Sequence, residues 1–174
     1  MLATAAMRRA CTRTLCASPR VMRPTSQPTL SFDPSAKTAM DKQEPPAPGA
    51  DFRVVIVGAG NINFGSDEGP WNHSFRLEHK LGPRLKVVAL IDPDAERARR
   101  VLKTKCQSFV LSAYKDTVVY PTFKDYMASV CAETYPHAVW VGSPPAFRGG
   151  TEPGRNLEQL LTAGLPNVPL FIEK

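Results

Sequence analysis

The sequence predicts an α/β domain built on a doubly wound parallel sheet, with a disordered N-terminal tail ahead of it. Three observations predict it. From residue 52 onward, short β-branched runs alternate with segments whose apolar residues recur at steps of three and four. That alternation is the pattern of buried strands joined by crossover helices. Gly, Pro, Asp and Asn punctuate it wherever one element must give way to the next, and residues 1–51 do not carry the strand–helix alternation.

Residues 1–32 contain Arg8, Arg9, Arg13, Arg20 and Arg23, many Ser and Thr, and no acidic residue. That composition is that of a mitochondrial presequence. Residues 1–15 can form an amphipathic helix with Leu2, Ala6, Ala10 and Leu15 on one side. The alternatives are a tail that targets nothing, or initiation at Met40. The expected location is therefore mitochondrial, or cytoplasmic if translation starts at Met40. Residues 33–51 read as a linker, because Pro34, Pro45, Pro46 and Pro48 cannot sit inside a helix or a central strand.

The domain proper is expected over 52–174. The run 53–57 (RVVIV) reads as a strand buried on both faces. A helix is expected from about Asn72 to Leu81, stopped by Gly82 and Pro83. A second buried strand follows over 86–91. Asp92, Pro93 and Asp94 open the next helix, with Pro93 suited to its first turn. Ala95, Ala98, Val101, Leu102 and Cys106 supply that helix's apolar stripe. A third strand is expected over 117–120. Thr122 and Asp125 form a capping-box-like start to a helix running to about Tyr135. A fourth strand spans 138–142. A helix over 154–163 turns Leu157, Leu160 and Leu161 inward and ends at Gly164, and the fifth strand spans 169–172.

The net charge is +6 and the sequence pI about 9.3. Such basicity suggests nucleic acid until it is divided by segment. The acid-free leader carries five positive charges, whereas 15 basic and 13 acidic residues nearly balance over 51–174. No nucleic-acid partner is expected. The longest apolar run, 54–60, is far short of the ~18 residues of a membrane helix, so no membrane span is expected. Four Cys are too few for a disulfide scaffold.

The first strand runs into Gly58-Ala59-Gly60-Asn61-Ile62-Asn63. A G-x-G-x-x-G turn at this place is the dinucleotide-binding, Rossmann-type fingerprint. Gly58 permits the tight turn, and Gly60 lets the backbone approach a pyrophosphate held by loop amides. The third position is Asn63, which puts close helix–strand packing in question. Residues 64–70, with Gly65 and Gly69, read as an inserted loop. Asp92 ends the second strand, 34 residues after Gly58, where the usual spacing is ~20. The inserted loop accounts for the excess. A carboxylate there accepts from the adenosine ribose hydroxyls and repels a 2′-phosphate. The expected cofactor is NAD or NADP, with NAD favoured, although Arg97, Arg99 and Arg100 stand nearby.

The fourth strand ends in Gly142-Ser143-Pro144-Pro145, and the chain ends in Phe171-Ile172-Glu173-Lys174. In this order the marks resemble the N-terminal domain of the glucose-fructose oxidoreductase / inositol dehydrogenase (Gfo/Idh/MocA) family, over residues 52–174. The resemblance implies that Ser143, Pro144 and Pro145 line the nicotinamide side of the cleft. It implies that Glu173 approaches the nicotinamide ribose. It matches Lys174 to the family's active-site lysine, which binds the substrate hydroxyl and helps move its proton. The family often carries a His shortly after the Pro-Pro turn, where Phe147 and Arg148 stand here. The implied reaction moves hydride between a nicotinamide and a sugar, polyol or related carbonyl.

The family's second, substrate-binding domain is absent from this sequence. Catalysis by these residues alone is therefore expected to be weak or lost, with a small-molecule substrate engaged only if a second domain is supplied. The alternatives are a non-catalytic dinucleotide-binding regulator, as in a yeast-type galactose-regulon repressor, or a truncated gene fragment. Uncovered strand ends make a homo-oligomer an expectation. The remaining residues read blandly. His73, His79 and His137 show no metal spacing, and His73 and His79 read as surface or cofactor-neighbouring groups. Cys106 and Cys131 read as small core residues on helices. Trp71 and Trp140 read as packing residues, and Arg97, Arg99, Arg100, Lys103 and Lys105 as a basic, solvated helix face.

Overall fold

The run of β-branched residues after Phe52 forms strand β1 (Phe52–Val57), and its side chains alternate between two apolar layers. Val54 and Ile56 enter one core with Leu77, Leu90, Ala98 and Leu102. Val55 and Val57 enter the other with Val139, Val141, Tyr126 and Leu161. A strand buried on both faces needs no polar alternation, which is why the run is continuously apolar. The computed structural model describes residues 46–66 and 71–173. The presequence-like tail, the linker up to residue 45, Gly69 of the inserted loop, and Lys174 lie outside the described residues.

Four more strands join β1 in parallel: β2 (Leu85–Ile91), β3 (Val118–Tyr120), β4 (Ala138–Val141) and β5 (Leu170–Ile172). Their spatial order is β3-β2-β1-β4-β5. The order reverses between β1 and β4, and such a switch point opens a crevice at the carboxyl ends of the strands. The helices are α1 (Asn61–Phe64), α2 (His73–Leu81), α3 (Ala95–Cys106), α4 (Leu111–Tyr114), α5 (Phe123–Ser129) and α6 (Leu157–Gly164). Residues of α2, α3 and α4 pack on one face of the sheet and residues of α5 and α6 on the other. The expected doubly wound α/β architecture is present.

Local chemistry explains the element ends. The Asn72 side chain accepts from the Phe75 amide at 2.9 Å and starts α2, and Gly82, at φ +53, ends it. On that face Glu78 of α2 accepts at 2.7 Å from both Lys105 of α3 and the Tyr114 hydroxyl of α4. Burial, reinforced by that bond to Glu78, pushes the Tyr114 phenol upward, so it remains a neutral donor.

Several boundaries differ from expectation. Asp94, not Asp92, caps α3 by accepting from the Arg97 amide, so Pro93 precedes the helix and does not occupy its first turn. Thr122 does cap α5, but the helix stops at Ser129 well short of Tyr135. Val130 is extended, and the next residues turn back, with Thr134 Oγ accepting from the Cys131 amide. Cys131 is therefore exposed on a turn and is not a core residue on a helix. Helix α6 begins at Leu157 because 153–155 form a turn with Gly154 at φ +85. Of the three leucines expected inward, Leu160 is 48% exposed while Leu161 is fully buried. Two single-turn helices, α1 and α4, had no sequence counterpart, since four residues carry no period.

Candidate functional site

The site is built by the loops that leave β1, β2, β4 and β5 at their carboxyl ends. Gly58 turns the chain out of β1 at φ +97, and its amide donates to the Ile91 carbonyl at 2.8 Å. A Cβ on Gly58 would lie 3.2 Å from the backbone of Gly142 and Ser143. Both features require glycine: the left-handed backbone and the close approach of two loops. Gly60 differs. Its φ is −81, and a Cβ there would meet nothing within 4 Å. It projects into the open crevice. The amides of Gly60, Asn61 and Ile62 donate to no acceptor among the described residues.

Asn63 resolves the question raised by the missing third glycine. It is buried, and its Nδ2 donates to the carbonyls of Gly58 at 2.7 Å and Val57 at 3.1 Å. It bolts α1 to the turn from which α1 springs. The clearance it needs comes from across the crevice, since a Cβ on Gly142 would overlap the Asn63 carboxamide. Close packing is thus preserved, with the glycine on β4's exit in place of the helix. Gly142 belongs to the Gly-Ser-Pro-Pro mark, but the mark alone assigns it no role; its missing side chain does.

Asp92 sits at the end of β2 as expected, but it turns inward and is 3% exposed. Oδ2 accepts from the Ala59 amide at 2.6 Å, and Oδ1 from the Asp94 amide at 2.8 Å. Arg97 Nη2 donates to Oδ1 at 3.0 Å. The carboxylate therefore fastens the glycine turn to β2, and the hydrogen bond to it pushes Arg97 upward in pKa. Arg97 belongs to this cluster, not to a purely solvated helix face. The Asp94 carboxyl is held below the usual range, chiefly by the Arg97 amide.

On the other side of the crevice, the turn Ser143-Pro144-Pro145 leads into a short 3-10 segment, Pro145–Phe147. Ser143 Oγ and Asn63 Oδ1 are buried without a partner among the described residues. Buried polar atoms are rarely left so, and here they face loops of the crevice. Arg148 ties the region together. Its Nε donates to the Ser143 carbonyl at 3.0 Å, and its Nη2 donates to the Glu173 carbonyl. Arg148 thus occupies the place after the Pro-Pro turn as a clamp between two loops.

Glu173 follows β5, and its amide donates to the Val141 carbonyl at 3.0 Å. Its carboxylate lies 2.6 Å from His73 Nε2. His73 is 1% exposed, so of the two expectations, surface or cofactor-neighbouring, the surface one is corrected. Its ring lies against Trp140 and Phe171, which stack on each other at 3.8 Å. His79 is exposed, and no cluster of three or more potential metal ligands occurs among the described residues. No described helix is long and apolar enough to cross a membrane.

The unsatisfied loop amides, the open side of Gly60 and the unpartnered Ser143 hydroxyl fit a polar, anionic ligand laid along the switch point. Fold and site together define a dinucleotide-binding domain of the Rossmann type. The chain belongs to the Gfo/Idh/MocA oxidoreductase family: that family's model, an oxidoreductase domain with an NAD-binding Rossmann fold, matches residues 52–174. Two uncharacterized proteins of Schizosaccharomyces pombe are similar to it. One is 45% identical over 128 residues, covering 72% of this chain and 33% of its own length. The other is 41% identical over 135 residues, covering 76% and 33%. The chain thus spans about a third of the length of these relatives. A solved dehydrogenase, WlbA from Chromobacterium violaceum in complex with NADH and UDP-GlcNAcA, matches at 15% identity and a TM-score of 0.43. That match covers 76% of this chain and 37% of that one.

Proposed function

We propose that residues 52–174 bind NAD(H) across the β1–β4 crevice and present its nicotinamide to a sugar, polyol or related carbonyl substrate for hydride transfer. The observation that carries this reading is the turn at 58–63, which leaves three amides without acceptors among the described residues, beside a glycine whose missing side chain opens onto the crevice. In this reading Gly58, Gly60, Asn61 and Ile62 surround the pyrophosphate, and Asn63 holds the turn in shape. Asp92 sets the adenosine end. Ser143, Pro144 and Pro145 line the nicotinamide side with Glu173, and Lys174 stands next in sequence as the group for the substrate hydroxyl proton. The bound nicotinamide supplies the hydride chemistry.

NAD is favoured over NADP. Arg97 is the cation nearest the adenosine end, and its charge is already met by Asp92 at 3.0 Å and Asp94 at 3.9 Å. A 2′-phosphate would have to compete with two carboxylates for that guanidinium. The reaction itself is proposed for a protein in which this domain is joined to groups that hold the substrate.

Calorimetric titration with NAD, NADH and NADPH tests the reading. Binding of NAD and NADH at one site is expected, with NADPH weaker by about tenfold, or about 1.4 kcal/mol. Absence of heat with all three would overturn it. Preference for NADPH would overturn the assignment of the adenosine end alone.

A further inference from the structure

We infer that His73 is the positioning residue for Glu173, and that the pair forms the specificity element for the nicotinamide half of the cofactor. The inference rests on the reading above that Glu173 lies at the nicotinamide end.

The geometry points to it in steps. The Glu173 backbone is fixed on both sides, by the Val141 carbonyl that its amide reaches and by Arg148, which donates to its own carbonyl. Its carboxylate has one charged or titratable neighbour within ion-pair reach among the described residues, His73 Nε2 at 2.6 Å. Two lone pairs that close repel, so Nε2 bears the hydrogen and faces the acid. The contact lies outside straight hydrogen-bond alignment, and Nδ1 has no partner among the described residues. A buried imidazole in an aromatic pocket costs stability unless a partner compensates it. Among the described residues, the one partner in place is the Glu173 carboxylate.

The ring cannot swing away. It stands at the first position of α2, against Trp140 of β4 and Phe171 of β5. Alternation along the strands puts Trp140, Gly142, Phe171 and Glu173 toward the same face, the face that α1 and α2 cover. His73 therefore sits above the end of β5 as Asn63 sits above the exit of β4. Glu173 keeps part of its side chain open, at 22% exposure, on the side His73 does not occupy. An acid held by one nitrogen and open on its other side is set to accept from a ligand hydroxyl. In a dinucleotide lying across the switch point with its adenosine end at β2, the hydroxyls that reach β5 belong to the nicotinamide ribose. Asp92 serves the opposite end, beyond β1.

Comparing NADH with ADP, which lacks the nicotinamide riboside, separates this role from a merely structural one. The wild-type chain is titrated with both by NADH fluorescence and calorimetry, beside His73→Phe, which retains the aromatic packing. The expected result is a loss of about tenfold or more in NADH affinity, with ADP affinity unchanged. Glu173→Gln is expected to show the same split. The double variant is expected to lose no more than either single one, because the two residues act as a unit. His73→Gln, which restores an N–H toward the acid, is expected to recover part of the loss. Equal losses for NADH and ADP, additive losses in the double variant, or no loss would overturn the inference. If His73→Phe fails to fold, Glu173→Gln and His73→Gln decide it by the same comparison. Wild-type protein that binds neither ligand would overturn the dinucleotide reading itself.

Discussion

Two glycines two residues apart do different work, and the difference can be measured. Gly58 is required by the protein: its φ is +97 and a Cβ would press on the Gly142 and Ser143 backbone at 3.2 Å. Gly60 has an ordinary extended backbone and empty space where a Cβ would go. Gly58→Ala is expected to destabilise the fold by about 1–3 kcal/mol, from backbone strain and close contact. Gly60→Val is expected to leave thermal unfolding without ligand unchanged and to abolish NADH binding, since its side chain would fill the approach to the loop amides. Thermal melts paired with titration check both. Unfolding of Gly60→Val, or its normal NADH affinity, would remove the reason for reading open space there as ligand space. Asn63 carries the complementary lesson. A residue that departs from the glycine pattern is accommodated because Gly142, on another strand, lacks a side chain.

At the scale of elements, the entrance to β4 is tied to β1 by a reciprocal pair. The Arg53 amide donates to His137 Nδ1 at 2.9 Å, and the His137 amide donates to the Arg53 carbonyl at 2.8 Å. Burial, aided by the Arg53 charge, holds the imidazole below its ordinary pKa. Only the neutral ring can accept at Nδ1, so the folded chain binds a proton there less readily than the unfolded chain. Stability from this tie is therefore present above the unfolded imidazole value of about 6.5 and is lost as pH falls from there toward the lowered folded value. His137→Gln keeps an acceptor and does not titrate. Urea midpoints from pH 7 to pH 5 are expected to fall more steeply for the wild type than for this variant. Parallel curves would remove the coupling. The same scale explains the early end of α5. Ser129 Oγ lies 3.0 Å from the Tyr126 carbonyl and 2.8 Å from the Tyr120 hydroxyl, satisfying the last turn before Val130 extends.

For the whole molecule, the strand order decides what can meet. Placing β4 beside β1 brings Gly142 and Ser143 onto the glycine turn, and placing β5 beyond β4 carries Glu173 under His73. Every proposed cofactor contact lies on a loop at one edge of the sheet, so binding should stabilise the domain as a unit. NADH at one hundred times its dissociation constant is expected to add about 2.7 kcal/mol to unfolding stability. Differential scanning calorimetry checks this. A melting temperature unmoved by saturating NADH in the wild type would contradict it, and the Gly60→Val variant supplies the control.

Much of this was legible in the linear sequence. The apolar runs located all five strands within a residue or so, and Thr122 and Gly82 marked a helix start and a helix stop, because periodicity and caps are encoded within three or four neighbouring residues. The ordered marks from Gly58 to Glu173 identified the family for the same reason. Tertiary structure alone decided that Asp92 turns inward to Ala59 and Arg97, that Asn63 packs on Gly142, that Arg148 clamps two loops, and that His73 is buried against Glu173. Each of these four arrangements joins residues on separate elements that only the parallel strand order brings together. Arg97 and Arg148 also reach partners five residues away, yet nothing local shows which way those side chains turn. A lone histidine at a helix start is unremarkable in the sequence, and it becomes a partner for an acid only once β5 is laid beside β4.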